Sequence, residues 1–266
     1  MRIDALEAAI REDVSEGCRP TCVVATVGTT SSGAVDPIPA IAELCRTHRL
    51  WLHVDAAWAG SAAICPEYRG LLAGVAQADS FLFNPHKWLL TNFDCTAYFV
   101  QDVETLLRTF TTSPEYLKTA VDAEVQNFRD WQIQLGRRFR ALKLWFVIRS
   151  YGVEGLRQMI RRHVALAAEF AQWVQAEDNF ELLAPVSLSL VCLRYRPKDM
   201  DPDGDEVNEM NERLLERVNA SDEVHLTHTV LRGRYVIRMC VGQLYTQRTH
   251  VERAWELLKT AAKQMG

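Results

Sequence analysis

Two short apolar runs, each ending in a polar cluster, constrain the fold of this chain more than any other feature of its sequence. Residues 50–54 (LWLHV) end at Asp55, and residues 80–83 (SFLF) end at the cluster NPHK of residues 84–87. Both runs have the length and composition of buried β-strands. Open α/β sheets bind their ligands beyond the carboxyl ends of parallel strands, so Asp55 and the cluster are predicted to face one crevice.

Strands and helices alternate through the first part of the chain. A helix is predicted at the start, with Asp4 as its N-cap, and another over residues 39–47. Further β-rich runs occupy residues 21–27, which lead into a turn of small hydroxyl residues, and residues 95–100. Near-continuous apolar strands that alternate with helices predict an α/β fold with a mainly parallel sheet covered on both faces.

The second part of the chain predicts a smaller domain after an irregular connection. Residues 111–127 are polar and lack periodicity, which is typical of a mobile surface loop. The predicted elements that follow are helices 135–151 and 153–176, strand 188–195, helix 206–219, strands 224–231 and 235–241, and helix 249–263. We therefore predict a large domain over residues 1–145 and a small α/β domain over residues 146–266.

The composition is that of an ordinary globular protein. Of the 266 residues, 48% are hydrophobic and 24% are charged, and the formal net charge of −4 gives no reason to expect a nucleic acid or an anionic membrane as partner. Seven cysteines without a C-x-x-C pair favour free thiols in a reducing compartment, and no metal site is predicted. The start does not resemble a signal peptide and no run reaches about 18 apolar residues, so a cytoplasmic location is expected.

Lys87 and Asp55 together favour one particular chemistry. A lysine amine can form a Schiff base with the aldehyde of pyridoxal 5'-phosphate (PLP), and a carboxylate can keep the pyridine nitrogen protonated so that the ring accepts electrons. Taken singly, a lysine after a strand is usually a solvated loop residue, and an aspartate there is usually a helix cap. Their shared position at strand ends favours Lys87 as the Schiff-base lysine and Asp55 as its partner.

Three long strings carry a resemblance to a known family: HVDAAWAGSAAICPEYR (residues 53–69), SFLFNPHKWLLTNFDC (residues 80–95) and DWQIQLGRRFRALKLWF (residues 130–146). The chain resembles the group II PLP-dependent decarboxylases, in particular the aromatic L-amino acid decarboxylases, over almost its whole length. This resemblance implies the aminotransferase-like fold called fold type I, with the C-terminal part of the large domain followed by the small domain. It also implies that an N-terminal arm and the first half of the cofactor-binding sheet are missing, so that these residues alone would hold PLP weakly.

The resemblance further implies which residues would surround PLP beside Lys87 and Asp55. The small side chain of Ala57 would lie under the cofactor ring, and Thr30 would bond the cofactor or the substrate carboxylate. Asn84 would donate to the phosphate, and His86 would cap the phosphate or contact the substrate. Each of the four also has a structural alternative. Ala57 could serve helix packing and Thr30 could form a serine/threonine turn. Asn84 could form an Asn-Pro turn, and His86 could merely fill the end of the strand.

Other residues would contact the substrate. Tyr116 matches the catalytic-loop tyrosine, which would deliver a proton after CO2 leaves, and a Phe at this position goes with aldehyde synthases. Leu135 and Gly136 match a pocket position where related plant enzymes carry Gly with indolic substrates and Ser with phenolic ones. Phe93 would contact the substrate ring, and Arg238 resembles a C-terminal arginine near the site. Each of these residues also has a structural alternative. Tyr116 could be an ordinary exposed loop residue, and Gly136 could only mark the end of a helix. Phe93 could be a core residue, and Arg238 could form a structural ion pair.

The function that the resemblance implies is decarboxylation of aromatic L-amino acids by a homodimer. Its catalytic loop and Leu135-Gly136 segment would reach into the neighbouring subunit's site. The first alternative is another reaction on the same scaffold, such as aldehyde synthesis or decarboxylation of glutamate or histidine. The second is a truncated chain without catalytic activity. Trp58, where animal relatives tend to have Tyr, departs from the family pattern.

Overall fold

The first sheet carries the predicted strand ends. In a computed structural model, which describes residues 1–112, 124–198, 200, 201 and 204–265, four strands form this sheet in the order β1-β2-β3-β4. They are β1 (Cys22–Thr26), β2 (Trp51–Asp55), β3 (Ser80–Phe83) and β4 (Ala97–Val100). The first three strands are parallel, and β4 is antiparallel to β3. The four predicted strands and the mainly parallel pairing are therefore confirmed.

Helices α1 (Ile3–Ser15) and α2 (Ile38–His48) pack on one face of this sheet. Burial alternates along the strands: Leu52 is buried with Ile41 of α2 in the first core, whereas Val24 in β1 is 53% exposed. Because successive side chains of a strand point to opposite faces, alternation means that one face is packed more closely than the other. The prediction of a sheet covered on both faces is wrong for the described residues.

The start of α1 differs from its prediction by two residues. Arg2 is the N-cap, and Asp4 lies in the first turn, where its carboxylate pairs with the Arg2 guanidinium. Asp4 is therefore wrong as the N-cap. An acidic side chain in the first turn still interacts favourably with the positive end of the helix dipole.

Short helices follow β3 and β4. The single turn α3 (Pro85–Trp88) follows β3 and contains Lys87. After β4 comes α4 (Val103–Phe110), which was not predicted. Its N-cap Asp102 accepts a backbone hydrogen bond from the first turn. An aspartate before a helical stretch is a sequence signal that could have identified this helix.

A long helix connects the two parts of the chain. This helix, α5 (Arg140–Gln175), contains one break at Gly152, whose φ of 67° and ψ of 165° are not helical. The predicted helices over 135–151 and 153–176 are confirmed except at the start, because residues 135–139 are not helical. Neither α5 nor any other helix in the described ranges is long and apolar enough to cross a lipid bilayer.

The second sheet is antiparallel throughout, with the order β5-β6-β8-β7. Its strands are β5 (Phe180–Leu182), β6 (Leu190–Tyr195), β7 (Thr227–Leu231) and β8 (Arg234–Cys240), and its helices are α6 (Asp205–Asn219) and α7 (Arg248–Lys263). All of these except the short β5 were predicted. A strand of three residues is too short for a period-two pattern to identify it.

Two hydrophobic cores meet along α5. Leu156 and Ile160 pack in the core of the first sheet, and Leu166 and Phe170 pack with the second sheet, α6 and α7. The same helix therefore contributes to both units. The predicted domain boundary at residue 145 stays a prediction.

Candidate active site

The carboxyl ends of β1, β2 and β3 lie side by side, held by backbone hydrogen bonds that continue past the strands. Val27 N donates to Asp55 O over 2.8 Å, and Asn84 N donates to Ala57 O over 2.9 Å. The turn after β1, residues 55–57 and residues 84–87 therefore form one row. The two segments that the sequence predicts to face one crevice are neighbours in this row.

A cavity of about 410 Å³ opens between the row and the second sheet. Lys87 and Thr30 line it from the first sheet, and Arg238 and Cys240 of β8 line it from the second. The other lining residues are Thr29, Trp58, Trp88, Leu190, Gly242 and Gln243. This volume is typical of small-molecule sites, and the walls combine aromatic rings with an amine and a guanidinium.

Lys87 is exposed in the wall of this cavity. Its backbone N donates to Asn84 O over 2.9 Å, so the single turn of α3 fixes the point from which the side chain extends. No carboxylate among the described residues forms an ion pair with its amine. The amine is therefore available to a ligand.

Asp55 is half-buried at the end of β2. Its Oδ1 accepts a hydrogen bond from Ala57 N over 2.8 Å, a turn bond that agrees in part with the helix-cap alternative. Oδ2 has no hydrogen-bond or ion-pair partner in the part of the chain that the structure describes. Asp55 does not itself line the cavity, but its segment and the segment that carries Lys87 are neighbours along the row of strand ends.

Asn84 and His86 are each held through one side-chain atom. Thr96 Oγ1 donates to Asn84 Oδ1 over 2.8 Å, and the Asn84 amide nitrogen keeps both of its donor hydrogens. His86 Nδ1 lies 2.7 Å from Cys95 O and 3.0 Å from Cys95 N, and Nε2 has no partner among the described residues. Each side chain thus retains a polar group that could contact a phosphate or a substrate.

Phe93 is exposed beside His86. Its side chain is 83% exposed, and its ring meets the imidazole edge to face with 4.9 Å between centroids. The alternative of a core phenylalanine is therefore wrong. A ring contact to a ligand remains a prediction.

Arg238, in β8, connects the second sheet to the turn after β1 by hydrogen bonds. Its Nη2 donates to Thr30 O over 2.5 Å and its Nε to Ser31 O over 3.2 Å. Its Nη1 donates to Thr227 Oγ1 over 2.8 Å. All three acceptors are uncharged, and no described carboxylate pairs with Arg238, so the ion-pair alternative is wrong for these residues. A guanidinium in a cavity wall without an anionic partner attracts a carboxylate.

Thr29, rather than Thr30, supplies the side-chain bonds of the hydroxyl turn. Its Oγ1 accepts from Ala34 N over 3.0 Å and lies 3.2 Å from Ser32 Oγ. The Thr30 hydroxyl has no hydrogen-bond partner in the described ranges, and Thr30 is exposed in the cavity wall. The serine/threonine-turn alternative therefore describes Thr29.

Leu135 and Gly136 lie apart from the Lys87 cavity. Leu135 is 59% exposed, and Gly136 lines a second cavity of about 710 Å³. A Cβ added at Gly136 would meet no atom within 4 Å. Helix α5 begins only at Arg140, so Gly136 does not mark a helix end. Tyr116 falls outside the described residues. The chain by itself therefore does not bring Gly136 to Lys87.

Trp88, Cys240 and Gln243 line the cavity but were not predicted as site residues. Trp88 directly follows Lys87, and Cys240 is two residues after Arg238 on the same strand, so both positions carried a local signal. Gln243 follows β8 without a pattern that marks it. Only the packing of the two sheets brings it to the cavity.

The fold and the row of strand ends define a class of protein. A lysine and an aspartate at the ends of neighbouring parallel strands, together with a small α/β unit, are typical of PLP-dependent enzymes with the aminotransferase-like fold. Residues 1–196 match the family model described as Pyridoxal-dependent decarboxylase conserved domain, and the chain belongs to this family. The predicted family and fold class are confirmed.

The similar proteins include decarboxylases and an aldehyde synthase. Tyrosine decarboxylase 4 of Petroselinum crispum is 50% identical over 261 residues, which make up 97% of this chain and 51% of that protein. Phenylacetaldehyde synthase of Arabidopsis thaliana is 44% identical over 268 residues, covering 100% of this chain and 54% of that protein. The crystal structure of Oryza sativa TDC with PLP and tryptamine matches with a TM-score of 0.94 at 44% identity, covering 100% of this chain and 55% of that one. The chain spans about half the length of the curated relatives it matches.

Proposed function

We propose that the protein containing this chain is a PLP-dependent decarboxylase that converts aromatic L-amino acids into amines and CO2. Membership of the pyridoxal-dependent decarboxylase family supports the reaction class. The observation that carries the proposal is the location of Lys87, which shares a cavity with Arg238 and neighbours the Asp55 segment. A nucleophilic amine and a cation for the substrate carboxylate thus line one cavity, and the segment with an anion for the cofactor is next to the segment that carries the amine.

The side chains fit PLP by their chemistry. Lys87 offers the primary amine that the aldehyde requires, and Asp55 offers a carboxylate oxygen without a partner among the described residues. The Ala57 side chain is only a methyl group, so it would leave room for a cofactor ring at this position. The Asn84 amide and the Thr30 hydroxyl can donate to a phosphate, since neither donor is used within the described chain.

Each residue then has a role in the proposed reaction. Bound PLP supplies the electron sink that makes loss of CO2 possible. Lys87 binds the cofactor, and the Asp55 carboxylate holds a proton on its ring nitrogen by electrostatic attraction. Arg238 binds the substrate carboxylate, and His86 contacts the substrate through Nε2, so that the bond to be broken is oriented.

We further propose a homodimer in which each subunit completes the other's site. Near Gly136, Ile133 is 85% exposed and Phe139 is 74% exposed. Concentrated exposure of large apolar side chains is typical of protein interfaces. In this arrangement the substrate ring lies against Phe93 of one subunit and against Leu135 and Gly136 of the other.

Replacing Gly136 with serine is expected to lower kcat/KM for tryptophan more than for tyrosine, by about tenfold, because a hydroxymethyl group narrows the pocket where a bicyclic ring is widest. The change has room within its own chain, since no atom lies within 4 Å of the added Cβ. Gly70→Ser is a matched control, because its added Cβ also meets nothing within 4 Å. Equal losses for both substrates would make Gly136 purely structural.

Replacing Tyr116 with phenylalanine is expected to lower amine formation about a hundredfold and to produce aldehyde, since the phenol would no longer deliver the proton to the substrate carbon. Molecular oxygen would then oxidise that carbon and be reduced to peroxide, and hydrolysis would release the aldehyde and ammonia. Amine, aldehyde and peroxide are measured in one assay.

Mixing Lys87→Ala chains, which are expected to be inactive, with Tyr116→Phe chains, which are expected to form little amine, tests whether the sites are shared. Each mixed dimer would contain one site with an intact lysine from one subunit and an intact tyrosine from the other, so amine formation should return. Confirmed subunit exchange without any return of activity would show that the tyrosine acts within its own chain.

Product analysis of the complete protein tests the proposed function directly. Stoichiometric CO2 and amine from an aromatic amino acid support decarboxylation. Aldehyde with peroxide would instead support the aldehyde-synthase alternative. The 44% identity to phenylacetaldehyde synthase is the observation that favours this alternative. Failure of borohydride to trap PLP on the protein would favour a chain without catalytic activity.

A further inference from the structure

His163 is completely buried in α5, at the place where the two cores meet. Ile160 and Val164 pack in the first core, and Leu166 packs in the second. A buried imidazole requires hydrogen-bond partners for its ring nitrogens. No role in the proposed reaction belongs to this residue.

The two ring nitrogens of His163 contact two different segments. Trp88 Nε1 lies 3.1 Å from His163 Nδ1, and His163 Nε2 lies 3.0 Å from Gln243 O. An indole nitrogen can only donate, so Nδ1 accepts and must carry no proton. The proton therefore resides on Nε2, which donates to the Gln243 carbonyl. Both bonds require the neutral imidazole in this one tautomer.

The surroundings favour that neutral form. Burial lowers the pKa of His163, and the positive charge of the neighbouring Arg162 lowers it further. A proton added to Nδ1 would place two donors against each other at the Trp88 contact. The environment thus stabilises the protonation state that the two hydrogen bonds need.

The two segments joined by His163 form opposite parts of the cavity wall. Trp88 directly follows Lys87, and its ring stacks on Trp58 with 5.0 Å between centroids. Gln243 follows β8, which carries Arg238. Arg162 Nη2 reinforces the second link by donating to Leu244 O over 2.9 Å.

We propose that His163 is a positioning residue that fixes Lys87 through Trp88 and fixes the Arg238 side of the cavity through Gln243. The inference deepens the proposed function and rests on it for its catalytic meaning. The Trp88 bond orients the helical turn from which the amine extends. The Gln243 bond holds the segment after β8 against α5, and with it the strand that binds the substrate carboxylate.

Conservative variants separate the two bonds. His163→Asn places an amide oxygen near the position of Nδ1, so it keeps an acceptor for Trp88 and loses the donor to Gln243. His163→Gln reaches the position of Nε2 with an amide nitrogen, so it keeps the donor to Gln243 and loses the acceptor for Trp88. His163→Leu loses both bonds.

The expected results differ between kcat and KM. His163→Gln should lower kcat about tenfold with little change in KM, because a buried indole N–H without an acceptor displaces the Lys87 turn. His163→Asn should mainly raise KM for the amino acid, because the carboxylate-binding side of the cavity is loosened. The rate at which an amine-reactive reagent labels Lys87 in the cofactor-free protein, measured by peptide mass spectrometry, should change in the Gln and Leu variants and not in the Asn variant.

Asn219→Ala is the control for loss of stability alone. Asn219 bonds Leu226 N over 2.9 Å and Leu226 O over 3.0 Å, within the second unit and away from the cavity. If the three His163 variants lower the melting temperature as this control does, with Lys87 labelling and the kinetic constants also matching it, the proposal is overturned.

The labelling experiment separates failure of this inference from failure of the proposed function. A wild-type protein that releases no CO2 would refute the decarboxylase function. A change of Lys87 labelling in the Gln variant, absent from the Asn variant, would still establish the positioning role. Unchanged labelling in all variants of an active decarboxylase would leave the function intact and refute the role of His163.

Discussion

Replacing Lys87 with alanine is expected to abolish both turnover and the covalent capture of PLP. Turnover should fall by at least about four orders of magnitude, because the enzyme would lose the amine that holds and releases the cofactor. No other lysine in the described part of the chain lines the cavity. Borohydride reduction followed by peptide mapping measures the capture, and product assays measure turnover.

Two further variants test whether the loss of turnover comes from the missing amine at position 87. Lys87→Arg should be as inactive as Lys87→Ala, because a guanidinium stays protonated and cannot attack the aldehyde. Lys259→Ala should retain activity, since Lys259 lies over the Trp255 ring in α7, outside the cavity. Trapping of PLP on another lysine of the folded Lys87→Ala protein would refute the assignment of Lys87.

Replacing Asp55 with asparagine is expected to lower kcat by about three orders of magnitude or more, because a neutral amide cannot hold the proton on the cofactor ring nitrogen. The fold should survive, since the amide oxygen can still accept the hydrogen bond from Ala57 N that Oδ1 accepts now. Kinetics and thermal unfolding of the same preparation separate the two effects.

Asp79→Asn is the matched control for this change. Asp79 accepts from Leu52 N over 2.6 Å near the amino end of β2, so the variant removes a carboxylate that bonds the same strand without touching the row of strand ends. It should retain turnover. Equal losses from both variants would show that Asp55 acts only through the general charge of the sheet.

Much of the fold follows from local pattern. Burial on one side of a strand and turn residues after it are properties of neighbouring residues, so β2, β3 and the segments that follow them could be located from the sequence. The start of α1 was wrong by two residues because a helix end depends on which single residue caps it. Helix α4 was missed although Asp102 precedes it as a capping signal. The prediction that both faces of the first sheet are covered was wrong, because apolar strand composition does not say which helices are present to pack on the sheet.

Local pattern decided less about the side chains of the site. Thr29 and Thr30 are adjacent and chemically identical, yet Thr29 makes the turn bonds and Thr30 faces the cavity. The sequence left an ion pair and a ligand contact open for Arg238, and the structure shows three bonds to uncharged oxygens in place of the ion pair. Such choices depend on backbone direction and on distant partners, which a sequence window does not contain.

The sequence by itself determined the family and the strand ends, and it located Asp55 and Lys87 just past neighbouring strands, because these features lie in contiguous motifs and in the period of the strands. Only the tertiary structure decided that Arg238 and Gln243 close the cavity around Lys87 and that His163 joins its two sides. The physical reason is that these contacts connect residues far apart in the chain. Their geometry is set by the packing of two cores against one helix, and no local propensity encodes it.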